Sequence, residues 1–152
     1  MSDDVIVRSA NGGDLDALVR LLAVLFSIEA DFTPDPKRQR RGLTLMLQDR
    51  DQRIALVAER AGAVIGMITA QLVVSTAEGG PSALVEDLVV EAAERGRGVG
   101  GRLLRELESR ARVMGASRLQ LLADRENVEA LRFYERAGWR PTQLVCWRRG
   151  EP

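Results

Sequence analysis

A glycine-rich turn between an apolar segment and a helical one constrains this chain more than any other feature. The turn consists of Arg95, Gly96, Arg97, Gly98, Val99, Gly100 and Gly101. Glycines allow positive φ angles and let a ligand approach the backbone closely, and free amides at a helix start attract anions. Arg95 and Arg97 add positive charge. The turn therefore predicts a pyrophosphate site, and a flexible surface turn is the alternative interpretation.

The spacing of apolar residues predicts the elements around this turn. Strands are expected at 5–9, 54–59, 64–74, 83–90, 119–122 and 144–147, helices at 15–26, 36–49, 103–115 and 127–137, a hairpin turn at 60–63 and a loop at 75–82. The order βααβββαβαβ indicates a mixed sheet with helices on both faces, in the α/β or α+β class. Segment 83–90 is apolar on both faces, so it belongs at the centre of the sheet.

Length and composition exclude several classes of protein. The 152 residues suit one domain spanning 1–152, and the sequence lacks the roughly 20 uncharged residues that a membrane span needs. The 22 basic and 22 acidic side chains cancel, so nothing favours a nucleic-acid partner. The absence of His, with Cys146 as the single cysteine, removes the Ser-His-Asp and Cys-His nucleophile systems and any ordinary zinc site. One unpaired cysteine and no basic-then-apolar leader lead us to expect a cytoplasmic protein.

A dinucleotide fingerprint is the main competing interpretation of the turn. Gly96, Gly98 and Gly101 satisfy G-x-G-x-x-G, and Asp124 lies further along the chain. In that fingerprint the first glycine directly follows the strand, whereas here the polar run 91–95 intervenes. The upstream strands also form a β-meander, and too few residues follow Asp124 for a doubly wound domain. We therefore reject a nicotinamide-dependent oxidoreductase, and a P-loop is excluded because its motif is missing.

Two motifs at their proper separation resemble one known family. Leu88-Val89-Val90, four further residues, and then Arg95-x-x-Gly98-x-Gly100 are similar to the acetyl-CoA signature of the GNAT superfamily of N-acetyltransferases. Asn127 and the run from Phe133 through Tyr134 to Trp139 are similar to the ending of that family. With the matching order of elements, the resemblance covers nearly the whole chain.

The resemblance implies acetyl-CoA as cosubstrate, without a metal. The backbone amides of the turn, from Gly96 and Arg97 to Gly101, would hold its pyrophosphate, and Leu88, Val89 and Val90 would lie along its pantetheine arm. A bulge in the central strand would leave the amide of Leu88, or one beside it, free to receive the thioester carbonyl as an oxyanion donor. The resemblance also makes a homodimer an expectation.

Tyr134 and Asn127 are the candidate site residues of the last helix. A phenol is protonated at neutral pH, so Tyr134 could donate a proton to the departing thiolate. Its alternative role is a buried tyrosine with a satisfied hydroxyl. Asn127 could contact the cofactor arm, or simply cap the free amides of the helix.

Glu86 and Asp87 are adjacent carboxylates in an otherwise apolar strand, where an unpaired charge is expensive to bury. A regular strand would direct them to opposite faces, so only one would reach an acceptor amine unless a bulge intervenes. Val85-Glu86-Asp87-Leu88 looks like the corresponding stretch of spermidine/spermine N-acetyltransferases, which implies Glu86 as general base through water. Salt bridges to arginines are the alternative.

The implied reaction is direct transfer of an acetyl group to the primary amine of a small molecule within a ternary complex. Glu29, Asp31 and Asp87 could line the acceptor cleft and attract a cation. Relatives that acetylate protein N-termini carry a glutamate where this chain has Leu122, which weakens a protein amine as acceptor. A non-catalytic acyl-CoA-binding module remains the alternative from another class, and the identity of the amine stays open.

Overall fold

A computed structural model describes residues 4–29 and 33–150, which divide into two units, Met1–Leu121 and Leu122–Pro152. The first unit contains strands β1 (Val5–Ser9), β2 (Arg53–Arg60), β3 (Ala63–Ser75), β4 (Gly80–Val90) and β5 (Arg118–Leu121), with helices α1 (Leu15–Ile28), α2 (Pro36–Met46) and α3 (Val99–Val113). Short 3-10 turns lie at Gly12–Asp14 and Ala92–Glu94. The second unit contains helix α4 (Val128–Arg136).

The five strands form one sheet in the order β1-β2-β3-β4-β5. Strands β1 to β4 are antiparallel neighbours, and β5 joins β4 in parallel. The predicted mixed sheet of the α/β class is therefore confirmed. No helix in the described ranges is long and apolar enough to cross a membrane.

Helices cover both faces of this sheet, as predicted. Met67 of β3 packs in the cluster that includes Leu18 of α1 and Leu43 of α2. The adjacent Gly66 faces the other way, because a Cβ added to it would lie 3.1 Å from Cδ1 of Leu103 in α3. The helices α1 and α2 thus lie on one face and α3 on the other. Glycine at position 66 lets α3 approach the centre of the sheet closely.

The hairpin between β2 and β3 is confirmed, and its turn is tighter than predicted. Ala61 and Gly62 alone connect the strands, with φ angles of 49° and 80°. Two successive positive φ angles are typical of the two-residue turn that matches the twist of paired strands.

The predicted loop at 75–82 is wrong in its bounds. β3 continues to Ser75 and β4 begins at Gly80, because Val74 pairs with Pro81 and Ser75 with Gly80. Glycine and proline predicted a break, but both are tolerated at the first positions of a strand. Only residues 76–79 remain as a loop.

The predicted strand at 144–147 is also wrong. The segment has no regular structure, and Leu144 and Trp147 are 84% and 91% exposed. A strand exists only with a ladder partner, and the described part of the second unit contains no other strand. The pattern of apolar residues predicted a strand here, but a sequence pattern contains no information on whether a neighbouring strand is present.

A half-buried ion pair fixes the start of the chain against the sheet. Arg8 of β1 donates from both terminal nitrogens to the carboxylate of Asp14, at 2.8 and 2.9 Å, and from Nε to Glu59 of β2 at 2.9 Å. Asp14 also accepts from the amide of Asn11, which closes the cap of the first 3-10 turn. The hydrogen bonds from Arg8 hold the pKa of Asp14 below its ordinary value.

Asp14→Asn should therefore lower the free energy of unfolding at neutral pH by about 2 kcal/mol. Because the folded pKa lies below the unfolded one, the stabilisation is complete above about pH 4 and is lost as the pH falls further. Urea unfolding of both proteins from pH 7 to pH 3 measures this difference. If the difference in free energy of unfolding between the two proteins does not become smaller in acid, the Arg8–Asp14 ion pair is not the source of this stability.

Candidate active site

The glycine turn presents free backbone amides at the start of α3. Gly96 and Gly98 have φ angles of 74° and 81°, which are left-handed values that disfavour other residues. Gly98 is the N-cap, and no side chain caps the helix. Its carbonyl accepts the first helical bond from Arg102, so the amides of residues 99–101 point out of the helix without a partner among the described residues. This geometry fits the predicted pyrophosphate site.

Ion pairs hold the turn against the sheet. Glu94, in the 3-10 turn before it, accepts from Nε of Arg60 in β2 at 3.1 Å, and both side chains are 17% exposed. Arg97 lies 3.8 Å from the same carboxylate. Arg95 donates from Nε to the carbonyl of Val90, at 3.1 Å. The arginines thus orient the turn, a role that the sequence did not indicate for Glu94 and Arg60.

Beyond its midpoint, β4 has an open edge. β5 pairs with it only along Ser82 to Val85, so residues 86–90 have a strand neighbour on the β3 side alone. Across that side, the amide of Glu91 donates to Ile65, and alternation directs the main-chain groups of Val90 to the open edge. An extended ligand could therefore be added beside this half of β4, as expected from Leu88 and Val90. Val89 pairs with Met67, so alternation directs its main chain to β3 instead, and the carbonyl of Val90 already accepts from Arg95.

A β-bulge interrupts the β3–β4 ladder in the same segment. Met67 pairs with Val89 and Thr69 with Glu86, so one residue of β3 faces two of β4, Asp87 and Leu88. Asp87 has a φ angle of 42°, in the left-handed region that non-glycine residues rarely adopt. The conditional expectation of a bulge at this position is thus confirmed. A bulge leaves backbone groups of the strand without their ladder partners, which is the condition that the expected oxyanion donor requires.

The bulge brings both carboxylates to one face of the sheet. Glu86 is the ladder partner of Thr69, so their side chains share a face, and Oγ1 of Thr69 donates to Oδ2 of Asp87 at 2.9 Å. The opposite-face geometry of a regular strand therefore does not apply. This is the face of Met67, covered by α1 and α2. The salt bridges considered as an alternative are not formed, since neither acid pairs with a cation among the described residues.

Burial changes the proton affinity of both acids. Desolvation raises the pKa of Glu86, and the neighbouring Asp87 charge raises it further. Desolvation also raises the pKa of the half-buried Asp87, while the hydrogen bond from Thr69 opposes that rise. Thr69 is itself 2% exposed, so its hydroxyl is fixed. The sequence did not single out Thr69, because its pairing with Glu86 depends on the bulge.

The second unit holds the other two candidates. The side chain of Asn127 accepts from the amide of Ala130 at 3.1 Å, which confirms its capping role. Tyr134 is half-buried, with its ring edge-on to Phe133 at 5.2 Å and tilted against Trp139 at 6.1 Å. The aromatic neighbours restrict the orientation of the phenol.

Besides Asp87, the predicted acceptor residues are Glu29 and Asp31. Glu29 forms the C-cap of α1, where its amide donates to Leu25. Asp31 lies outside the described residues. No cluster of three metal-binding side chains occurs within 4–29 and 33–150.

Comparison with known proteins decides the family. Residues 18–139 match the model of the acetyltransferase (GNAT) family. The chain belongs to this family. An aminoalkylphosphonate N-acetyltransferase from Salmonella typhimurium is 30% identical over 138 residues, which cover 91% of this chain and 86% of the relative. This chain is thus an acetyl-CoA-dependent GNAT acetyltransferase.

Solved GNAT structures share the fold over nearly the whole chain. A putative acetyltransferase from Agrobacterium tumefaciens superposes with a TM-score of 0.81 at 26% identity, covering 95% of this chain and 99% of the other. An aminoglycoside N-acetyltransferase crystallised with CoA gives a TM-score of 0.84 at 18% identity, covering 100% and 98%. The second likeness concerns the fold alone.

Substitution of Gly98 tests the turn of this acetyltransferase. Gly98→Ala has room for its methyl group but forces alanine to a φ angle of 81°, which costs about 1–2 kcal/mol. The turn should relax away from the conformation that presents the amides, so KM for acetyl-CoA should rise about fivefold or more. Steady-state kinetics measure the change. Gly42→Ala, in open space on α2, is the matched control with an unchanged KM; an unchanged KM in Gly98→Ala would contradict the assignment.

Proposed function

We propose that residues 1–152 act as a single catalytic domain that transfers the acetyl group of acetyl-CoA to the primary amine of a small molecule. The bulge in β4 is the observation that carries this proposal, because it lies beside an open strand edge and brings Glu86, Asp87 and Thr69 to one face. Direct transfer in a ternary complex needs a cosubstrate, a main-chain donor and a proton acceptor to meet at such a point.

Acetyl-CoA supplies the activated acetyl thioester that the amine attacks. The amides of Val99, Gly100 and Gly101 would hold its diphosphate with the dipole of α3. Main-chain groups of Leu88 and the amide of Val90 would bind the pantetheine arm along the open edge, while Val89, whose main chain faces β3, would lie along the arm without a main-chain bond. The diphosphate contacts at 99–101 follow the pantetheine contacts at 88–90 closely in sequence. An arm bound along β4 from the glycine turn would therefore direct the thioester toward the bulge.

The amide of Leu88 is our candidate for the oxyanion donor. It lies in the bulge, where the ladder with β3 is interrupted. An amide aimed at a developing negative charge needs no reorganisation during the reaction, and such a donor is worth about 3 kcal/mol in other enzymes.

Glu86 and Asp87 would have different roles toward the amine: Glu86 would accept its proton, and Asp87 would bind it. Glu86 is exposed on the strand, and its raised pKa makes it a better proton acceptor, directly or through water. Asp87 is fixed by Thr69 and would bind the incoming ammonium group. The resemblance of this stretch to spermidine/spermine N-acetyltransferases supports the same assignment for Glu86.

Two observations support a small amine as the acceptor. They differ in the charge that they suggest for the rest of the acceptor molecule. The Salmonella relative is named for an aminoalkylphosphonate, an anionic amine. The resemblance at Val85 to Leu88 concerns enzymes for cationic polyamines. Turnover of both kinds of amine, measured by released thiol, tests the proposal. Acetyl-CoA binding without turnover of any amine would favour a non-catalytic acyl-CoA-binding module, and turnover only on peptides would favour a protein amine.

Tyr134 should protonate the departing thiolate, because a protonated phenol is its natural donor at neutral pH. Tyr134→Phe is expected to lower kcat by about 100-fold and leave acetyl-CoA binding nearly unchanged. Pre-steady-state kinetics and a binding titration separate the two effects. Leu144→Ala, at a residue of the second unit that is 84% exposed, is the control and should leave kcat unchanged. An unchanged kcat in Tyr134→Phe would remove Tyr134 from the mechanism.

The pH dependence of kcat distinguishes the two carboxylates. Glu86 must be ionised to accept a proton, so kcat should fall in acid, at a pH above that of an ordinary glutamate because its pKa is raised. Glu86→Gln should remove this acid limb and lower kcat by about 100-fold. Asp87→Asn removes a charge that raises the Glu86 pKa, so the limb should move to lower pH. If the acid limb of the kcat profile is lost in Asp87→Asn but retained in Glu86→Gln, Asp87 and not Glu86 is the general base.

A further inference from the structure

A second feature of the first unit has no part in acetyl transfer. A cavity of about 90 Å³ lies where β1 ends and β2 begins, and Arg50, Arg53 and Arg110 line it. Arg110 is in the last turn of α3, whereas the glycine turn precedes its first residue, Val99. Eleven residues of helix separate these positions by about 17 Å along the axis. The cavity is thus remote from the proposed diphosphate site.

The protein holds each of the three guanidinium groups in place. Arg50 donates from Nη2 to the carbonyl of Ala10 at 3.1 Å, and Arg53 from Nη1 to the carbonyl of Leu45 at 2.6 Å. Arg110 donates from Nη1 to the hydroxyl of Ser9 and from Nε to Glu106. A guanidinium has five N–H donors, so these bonds leave donors free on every one. The side chains are therefore oriented before any ligand arrives.

The cavity carries a local excess of positive charge in a chain whose basic and acidic side chains are equal in number overall. No acid lines it, and neither Arg50 nor Arg53 forms an ion pair within the described ranges. Glu106 neutralises Arg110 in part. Asp49 lies beside Arg50 in sequence, but its carboxylate accepts from the amide of Asp51. Two guanidinium groups that have no ion-pair partner in the described ranges, each hydrogen-bonded to a backbone carbonyl beside one cavity, attract an anion with several oxygens.

We propose that this arginine cavity, defined by Arg50, Arg53 and Arg110, binds a small phosphate-type oxyanion. The hydroxyl of Ser9, which also lines the cavity, can add a neutral hydrogen bond. Met46, Ile54 and Met114 supply apolar parts of the cavity wall. The site is independent of the proposed function, since none of its residues belongs to the acetyl-transfer site.

A phosphate titration of the CoA-saturated protein tests this site. CoA occupies the glycine turn, so inorganic phosphate reports only on other sites, and sodium chloride at equal ionic strength controls for screening. In ¹⁵N-labelled protein the amide signals of Ser9, Ala10 and Ala55, which line the cavity, should shift in a saturable manner. The double variant Arg50→Gln/Arg53→Gln keeps hydrogen-bond donors but removes both charges, and its phosphate affinity should fall about tenfold or more.

Arg112→Ala, an exposed arginine of α3 outside the cavity lining, is the matched control and should bind phosphate as the unaltered protein does. The amide spectrum of the double variant shows whether it is folded. Absence of saturable shifts, equal affinity in the double variant, or shifts confined to residues 96–101 would each overturn the proposal. Failure here would leave the acetyl-transfer experiments untouched, because those measure thiol release.

Discussion

The register shift in β4 is the constraint on which the account depends. One residue of β3 faces both Asp87 and Leu88, and Asp87 takes a left-handed conformation to allow it. Such a conformation costs free energy and persists only when surrounding contacts determine it. Here the determining contacts are the ladder on either side and the hydrogen bond from the buried Thr69. The resulting strand has an open edge on one side and two carboxylates on one face.

The glycine turn acts at the far end of the same strand. Ion pairs through Glu94 connect it to β2, and Arg95 connects it to the last carbonyl of β4. The turn and the bulge therefore belong to the same strand and its connection, which sets the distance between the proposed diphosphate and thioester sites. The arginine cavity lies at the other end of α3, so the two proposed anion sites are separated by the length of one helix.

Local patterns predicted the order of elements as far as α4, the cap at Asn127 and the glycine turn, because each depends on neighbours in sequence. The start of β4 was missed because Gly80 and Pro81 are turn formers in isolation, and only pairing with β3 places them in a strand. The strand expected at 144–147 failed for the converse reason, since its apolar residues have no ladder partner in their own unit. The role of Thr69 could not be predicted because it depends on the register between β3 and β4. The arginine cavity could not be predicted because its lining residues are distant from one another in sequence.

A crystal structure of the protein with bound acetyl-CoA tests the central claim most directly. The account predicts diphosphate oxygens within hydrogen-bonding distance of the amides of Val99, Gly100 and Gly101, and the thioester oxygen on the amide of Leu88 in the bulge. A diphosphate bound away from the glycine turn, or a thioester oxygen held by a side chain while the Leu88 amide stays paired with β3, would contradict it.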